Sequence, residues 1–297
     1  MHTPINGTDL YFDVDGAELR AGPDGLGTLP TVVVLHGGPG FDQGYLRPGL
    51  GGLRDLAQLI FVDLRGQGRS RPVPAESCTL EQMADDVVAL CGRLGLQRPV
   101  LLGHSAGGFV ALHAALRAPG AFGALVLCST AATLAPEPDP GAPTLAERAG
   151  SEAEAVAARV FAGDVTPETG EAFGRLVAPH YAAPGRQELP GGLLALSRMS
   201  PEVMHAFFGG GGAAGYDLRH RLAEIEAPTL VIAGGYDWVC PPAAARTMAD
   251  GIGGAELVIV PDAGHFPFSE EPEMFHRAIA AFLTTVGAHH PAGLGNR

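Results

Sequence analysis

No stretch of this chain approaches the roughly eighteen uninterrupted apolar residues that a bilayer-crossing helix needs, so no transmembrane span is expected. The opening residues Met1-His2-Thr3-Pro4 carry neither a basic cluster nor an apolar segment, and no secretory signal is expected there. Cysteine is scarce. Cys78, Cys91, Cys128 and Cys240 show no paired spacing, and two lie in apolar segments, as small core residues do. A reducing, cytoplasmic setting fits that usage. Positive charge is short as well. Lys and Arg total 19 against 32 Asp and Glu, a net charge of −13 at pH 7, which argues against nucleic acid or an anionic membrane as partner. The histidines, His289 and His290 of the polar tail included, show no H-E-x-x-H or similar ligand spacing. No metal and no cofactor are therefore expected. No internal repeat is visible.

What the chain has is apolar content, 46% of 297 residues, enough for one large domain or a domain with an insertion. Thr8 to Val14 alternates as an early strand, and Gly22 to Pro30 reads as a turn-rich connector. Thr31-Val-Val-Val-Leu35, Gln58 to Asp63, Pro99 to Leu102, Ala124 to Cys128, Thr229 to Ala233 and Leu257 to Val260 are continuous apolar runs. Such runs mark strands covered on both faces. Thr79 with Gln82 has capping-box spacing, and Leu80, Met83, Val87, Leu90 and Leu94 follow at helical period. A last amphipathic helix spans about Pro272 to Val286. Strands alternating with helices predict right-handed crossovers and a mostly parallel sheet.

That rhythm stops between 131 and 222. Ala131 to Pro143 is Pro-rich, and Leu145 to Ala162, Pro167 to Ala178 and Pro201 to Phe208 read as helices. Gly209 to Gly215 reads as a hinge-like run. The predicted organisation is a core at 1–130 and 223–297, interrupted by a helical cap at 131–222 that roofs the carboxyl ends of the strands. A cap so placed is expected to govern substrate choice without supplying the acid or base of the reaction, with Trp238, Phe173, Phe207 and Phe208 lining the pocket.

Gly103-His104-Ser105-Ala106-Gly107 sits between an apolar run and an Ala- and Leu-rich helix. A G-x-S-x-G in that setting is a nucleophile elbow, a tight turn that lifts a serine hydroxyl out of the sheet. His36-Gly-Gly-Pro-Gly40 follows another strand and suits an oxyanion loop. One oxyanion donor is expected from the Ala106 N–H and the second from Gly38, with Gly37 as the alternate. His36 itself reads as a structural hydrogen-bonder. Asp237 and His265 follow the last two strands, where open α/β sheets assemble their sites. The order Ser105, Asp237, His265 gives nucleophile, acid and base. Asp262 lies nearer His265 in sequence, but three residues along a turn is a poor span for bonding the ring, so Asp237 is preferred. His104, adjacent to the serine, should point away from the pocket.

These motifs resemble the α/β-hydrolase superfamily along almost the whole chain. Within it, four segments resemble the proline iminopeptidase group: His36 to Gly40, Asp63-Leu-Arg-Gly-Gln-Gly-Arg-Ser70, Gly235-Tyr-Asp-Trp-Val-Cys-Pro241 and Gly264-His-Phe-Pro-Phe-Ser-Glu-Glu-Pro272. The resemblance implies an α/β-hydrolase fold and a serine hydrolase that opens a small ester or amide through an acyl-enzyme. The substrate expected is a small molecule or short peptide. Asp63 to Ser70 reads as a structural turn whose Arg65 and Arg69 pair with carboxylates. Two positions depart from the group. Ala106 stands where an aromatic residue is common, and Trp238 stands where some members carry a carboxylate for the substrate ammonium. Glu171, Glu202 and Glu224 are the candidates to replace that carboxylate. A carboxylesterase or lactonase on the same residues is the alternative, and a non-catalytic small-ligand receptor is the second class. Ser105 excludes the related epoxide hydrolases and haloalkane dehalogenases, which place Asp there.

Overall fold

The apolar runs become the strands of one sheet because each is covered on both faces. A computed structural model describes residues 1–22, 25–137, 139–213 and 215–288. The tail histidines His289 and His290 lie outside the described residues. In chain order the strands are β1 (His2–Ile5), β2 (Thr8–Asp15), β3 (Leu19–Gly22), β4 (Gly25–Thr28), β5 (Thr31–Leu35), β6 (Gln58–Asp63), β7 (Val100–His104), β8 (Ala124–Cys128), β9 (Thr229–Gly234) and β10 (Glu256–Val260). Among the described residues eight of them form a sheet in the order β1-β2-β6-β5-β7-β8-β9-β10. β1, β2 and β6 pair antiparallel, and from β6 to β10 along the sheet the pairing is parallel. The expected mostly parallel α/β sheet is present.

Period-two alternation divides each central strand between two cores. Val33 and Leu35 of β5 enter one apolar cluster, and Val32 and Val34 enter the other. The first cluster is completed by α2 (Leu80–Arg93), α3 (Ala106–Arg117) and α9 (Pro242–Gly251), through residues such as Val87, Val110 and Met248. Phe275, Ile279 and Phe282 of α11 (Pro272–Ala288) close the second. Short α1 (Arg47–Leu50) and α10 (Pro267–Glu270) lie on that same side, through Leu50 and Phe268. Thr79 caps α2 by accepting the Gln82 N–H, but the Gln82 side chain reaches forward to Asp86, so the cap is one-sided.

Some elements differ from the expectation. β1 pairs as an added edge strand that the pattern does not predict, and after β2 come β3 and β4, a small hairpin whose second strand is exposed. Between β8 and β9 lie α4 (Leu145–Ala149), α5 (Ser151–Phe161), α6 (Pro167–Leu176), α7 (Leu189–Leu194) and α8 (Pro201–Phe208). The helix expected from 145 to 162 is broken at Gly150, whose φ of 86° is left-handed. The run that begins at Gly209 is not a free hinge. The N–H groups of Gly209, Gly210, Gly212 and Ala213 return to His205, Ala206 and Phe207, winding the chain off the end of α8. This helical segment touches the loops at the carboxyl ends of the strands: Ser200 N–H donates to Gly40, and Tyr181 accepts from His265 N–H.

Candidate active site

Ser105 caps α3 with φ 52° and ψ −125°, a conformation held by its neighbours rather than preferred by serine. Its N–H donates to Cys128, and its carbonyl accepts from Gly108 N–H and the Thr130 hydroxyl. The flanking glycines are forced by close packing. A Cβ on Gly103 would lie 2.4 Å from the Gly107 carbonyl, and one on Gly107 would lie 2.4 Å from that of Leu35. Ser105 is partly exposed, and its hydroxyl carries no hydrogen bond among the described residues.

Asp237 and His265 meet from adjacent strands. The Nδ1 of His265 lies 2.8 Å from Oδ2 of Asp237, and both residues are buried. Oδ1 of Asp237 accepts the N–H groups of Val239 and Cys240, which orients the carboxylate from behind. Asp262 is exposed and makes no such contact. The His265 backbone is also fixed: its N–H donates to Tyr181, and its carbonyl accepts from His104 Nε2 at 2.8 Å.

The His36-to-Gly40 loop lies directly over Ser105. A Cβ on Gly37 would come within 2.5 Å of the Ser105 Cβ. The Gly37 N–H is already spent on the Tyr45 hydroxyl at 2.6 Å. The N–H groups of Gly38 and Ala106 carry no partner among the described residues. Gly38 is thus free in a way that Gly37 is not. His36 accepts the Leu64 N–H at Nε2 and donates from Nδ1 to Gly37, and burial lowers its pKa. Gln67 of the 63–70 turn braces this loop by accepting the Gly40 N–H. In that turn Arg65 forms a buried two-pronged pair with Asp86. Among the described residues Arg69 makes no ion pair, contrary to the expectation, and stacks over Tyr11.

Tyr45 and His104 were not foreseen as partners, since nothing local in the sequence relates them. The Tyr45 hydroxyl accepts from Gly37, so its own proton goes to His104 Nδ1, 2.7 Å away. His104 then carries its ring proton on Nε2, as donation to the His265 carbonyl requires. Burial, followed by the nearby His265, holds the His104 pKa well below its ordinary value, so the ring is neutral. His104 is buried, in a chain of bonds joining the glycine loop to the His265 loop. Tyr45→Phe should strand two buried groups, Gly37 N–H and His104 Nδ1. It should lower the unfolding free energy by about 1–3 kcal/mol. Denaturant titration checks this, and a loss below about 0.5 kcal/mol would mean the chain of bonds contributes little.

Aromatic side chains from the helical segment and from the loop after β9 extend outward from His265. Tyr181 stands edge-on to the imidazole at 5.3 Å, Trp238 packs on Tyr181 at 5.3 Å, and Phe173 packs on Tyr181 at 5.9 Å. Phe161 touches Trp238, Phe173 and Phe208. Trp238, Phe173 and Phe208 therefore share one partly buried cluster, and the sequence reading missed Tyr181 and Phe161. Phe207 departs from the expectation. It is 2% exposed inside the main core, because consecutive residues on α8 project about 100° apart. The three glutamates considered for a substrate ammonium are all exposed. Glu224 pairs with Arg221, and Glu202 borders a cleft of about 590 Å³ with Glu76 and His205, whose lining includes neither Ser105 nor His265.

A family model described as the alpha/beta hydrolase fold matches residues 30–272. The chain belongs to the α/β-hydrolase family. The protein RutD of Rhizobium rhizogenes, named for carbamate hydrolysis, is 29% identical over 279 residues, covering 92% of this chain and 97% of RutD. A thermophilic esterase from Thermogutta terrifontis matches with a TM-score of 0.74 and 29% identity, over 96% of this chain and 99% of the esterase. The proline iminopeptidase of Mycobacterium smegmatis matches with a TM-score of 0.75 and 25% identity, over 97% and 99% of the two chains. The chain is a hydrolase of this fold, similar to the proline iminopeptidase group as its motifs suggested. Among the described residues no helix is long and apolar enough to cross a membrane.

Proposed function

We propose that this α/β-hydrolase is a serine hydrolase acting on a small uncharged ester, lactones included, through an acyl-enzyme on Ser105. His265 takes the hydroxyl proton as Ser105 attacks the carbonyl carbon, then returns it to the leaving alcohol. Asp237 holds the imidazole in the tautomer that accepts at Nε2. Gly38 and Ala106 direct their N–H groups at the developing oxyanion. A water then repeats the sequence on the acyl-enzyme, releasing the acid and restoring Ser105. The observation that carries this reading is the buried His265–Asp237 bond at 2.8 Å, with His265 tied through His104 to the strained turn that carries Ser105.

The choice of an uncharged substrate rests on where the carboxylates are. Among the described residues, the two carboxylates that accept hydrogen bonds from His265 or its flanking amides are both committed: Asp237 to His265 and two amides, Glu270 to backbone N–H groups. An aminopeptidase must hold an ammonium, and a desolvated ammonium without a carboxylate is costly. The aromatic cluster around Tyr181 and Trp238 offers apolar contact instead. Purified protein should be labelled at Ser105 by a fluorophosphonate. It should turn over short-chain p-nitrophenyl esters with kcat/KM at least about tenfold above that for proline p-nitroanilide, the scale of one charge-assisted contact. Preference for the anilide would replace the ester reading with an aminopeptidase one. Absence of both labelling and turnover would point to the receptor class.

A further inference from the structure

The segment Gly264 to Pro272 contains a buried carboxylate that the proposed reaction does not use. Glu270 is 5% exposed, and no ion pair holds it among the described residues. Its Oε1 accepts the N–H groups of Gly264 at 2.9 Å and Phe266 at 3.0 Å. Its Oε2 accepts Gly264 again at 2.9 Å and Ala183 at 2.7 Å. The carboxylate thus grips the backbone on both sides of His265 and, with the same group, an amide of the helical segment between β8 and β9.

The stretch Tyr181-Ala182-Ala183 is tied to the site at each residue. Tyr181 accepts the His265 N–H at 2.6 Å and packs its ring on the imidazole. Ala182 accepts Arg148 Nη2 at 2.8 Å, and Arg148 Nη1 donates to the carbonyl of Tyr236, next to Asp237. One short piece of the segment is therefore bonded to the base loop and, through Arg148, to the acid loop. We infer that Glu270 is a positioning residue for His265, and that through Ala183 it makes the alignment of the base depend on the seating of residues 181–183. The inference rests on the reading of His265 as the base. It also changes the expectation for the cap, which shapes the reaction's geometry as well as its pocket.

A carboxylate suits this place because every group it meets is an N–H donor, and both oxygens are needed. Gln would turn an NH₂ toward Ala183 or toward Phe266, opposing donor to donor. Asp would keep the charge but withdraw it by about one bond length. A base displaced by a fraction of an ångström loses rate while the binding pocket is untouched.

The test compares Glu270→Gln, Glu270→Asp and Ala183→Pro with Glu273→Gln, an exposed position on α11 with a side chain 91% accessible. All are assayed on a p-nitrophenyl ester at a temperature where circular dichroism shows each folded. Glu270→Gln should lower kcat about ten- to a hundredfold with KM within about twofold, and slow fluorophosphonate labelling in parallel. The low-field NMR signal of the proton between His265 and Asp237 should shift or broaden. Ala183→Pro, which removes the segment's donor and also fixes φ there, should give a smaller loss of the same kind, and Glu273→Gln none. If Glu270→Gln does not fold, Glu270→Asp and Ala183→Pro carry the comparison. Folded variants with unchanged kcat and an unchanged proton signal overturn the inference. So does a loss that only tracks the unfolded fraction. Failure of the wild type to label would instead defeat the reading of the base, leaving the two outcomes distinct.

Discussion

Ser105→Ala should lower kcat on a p-nitrophenyl ester by about a millionfold, while the protein stays folded. The fold should survive because Ser105 is held through its backbone. Its N–H and carbonyl are both bonded, whereas its hydroxyl has no bond among the described residues. The φ of 52° costs alanine no more than serine. The activity should not survive because no neighbouring group can replace the hydroxyl. Thr130 spends its proton on the Ser105 carbonyl, and the buried Cys128 thiol has its pKa raised by desolvation and by Asp237, so no thiolate forms there. The variant should be unreactive to fluorophosphonate, with a melting temperature near that of wild type. Retention of more than about one per cent of the wild-type rate in folded, purified variant would remove Ser105 from the mechanism.

The parts of this molecule that could be read from the sequence are those set by local physics. Val33 and Leu35 need one apolar neighbourhood and Val32 and Val34 another, so an unbroken apolar run already says that the strand is covered on both sides. Gly103 and Gly107 announce the turn at Ser105 because packing at 2.4 Å tolerates nothing larger. The residues that could not be read depend on partners distant in sequence. Tyr45 finds His104 59 residues later, and Glu270 finds Ala183 87 residues earlier. Phe207 and Phe208 differ in role only because α8 turns one toward the core and the other toward Phe161. β1 has an alternating pattern, yet four residues are too few to separate a strand from a connector. β4 of the hairpin is exposed at every residue, so no hydrophobic pattern marks it.

Asp237→Asn should lower kcat/KM about ten-thousandfold with little change in volume or packing. The direction follows from the donors around the carboxylate. Oδ1 accepts the N–H groups of Val239 at 2.9 Å and Cys240 at 3.0 Å, and Oδ2 faces Nδ1 of His265 at 2.8 Å. An asparagine has a single carbonyl oxygen, and two amides that can only donate will claim it. Its NH₂ then faces His265, and Nδ1 must become an acceptor. The ring proton moves to Nε2, the nitrogen that should receive the proton of Ser105. The base is then present in the wrong tautomer, and the negative charge that would steady an imidazolium is gone. Nitrogen-15 NMR of His265 should report the change directly, with Nε2 protonated in the variant and Nδ1 protonated in the wild type. Activity should recover partially at alkaline pH if hydroxide takes over as base. A loss smaller than about tenfold, together with a large loss in Asp262→Asn, would transfer the acid's role to Asp262 despite its exposed position.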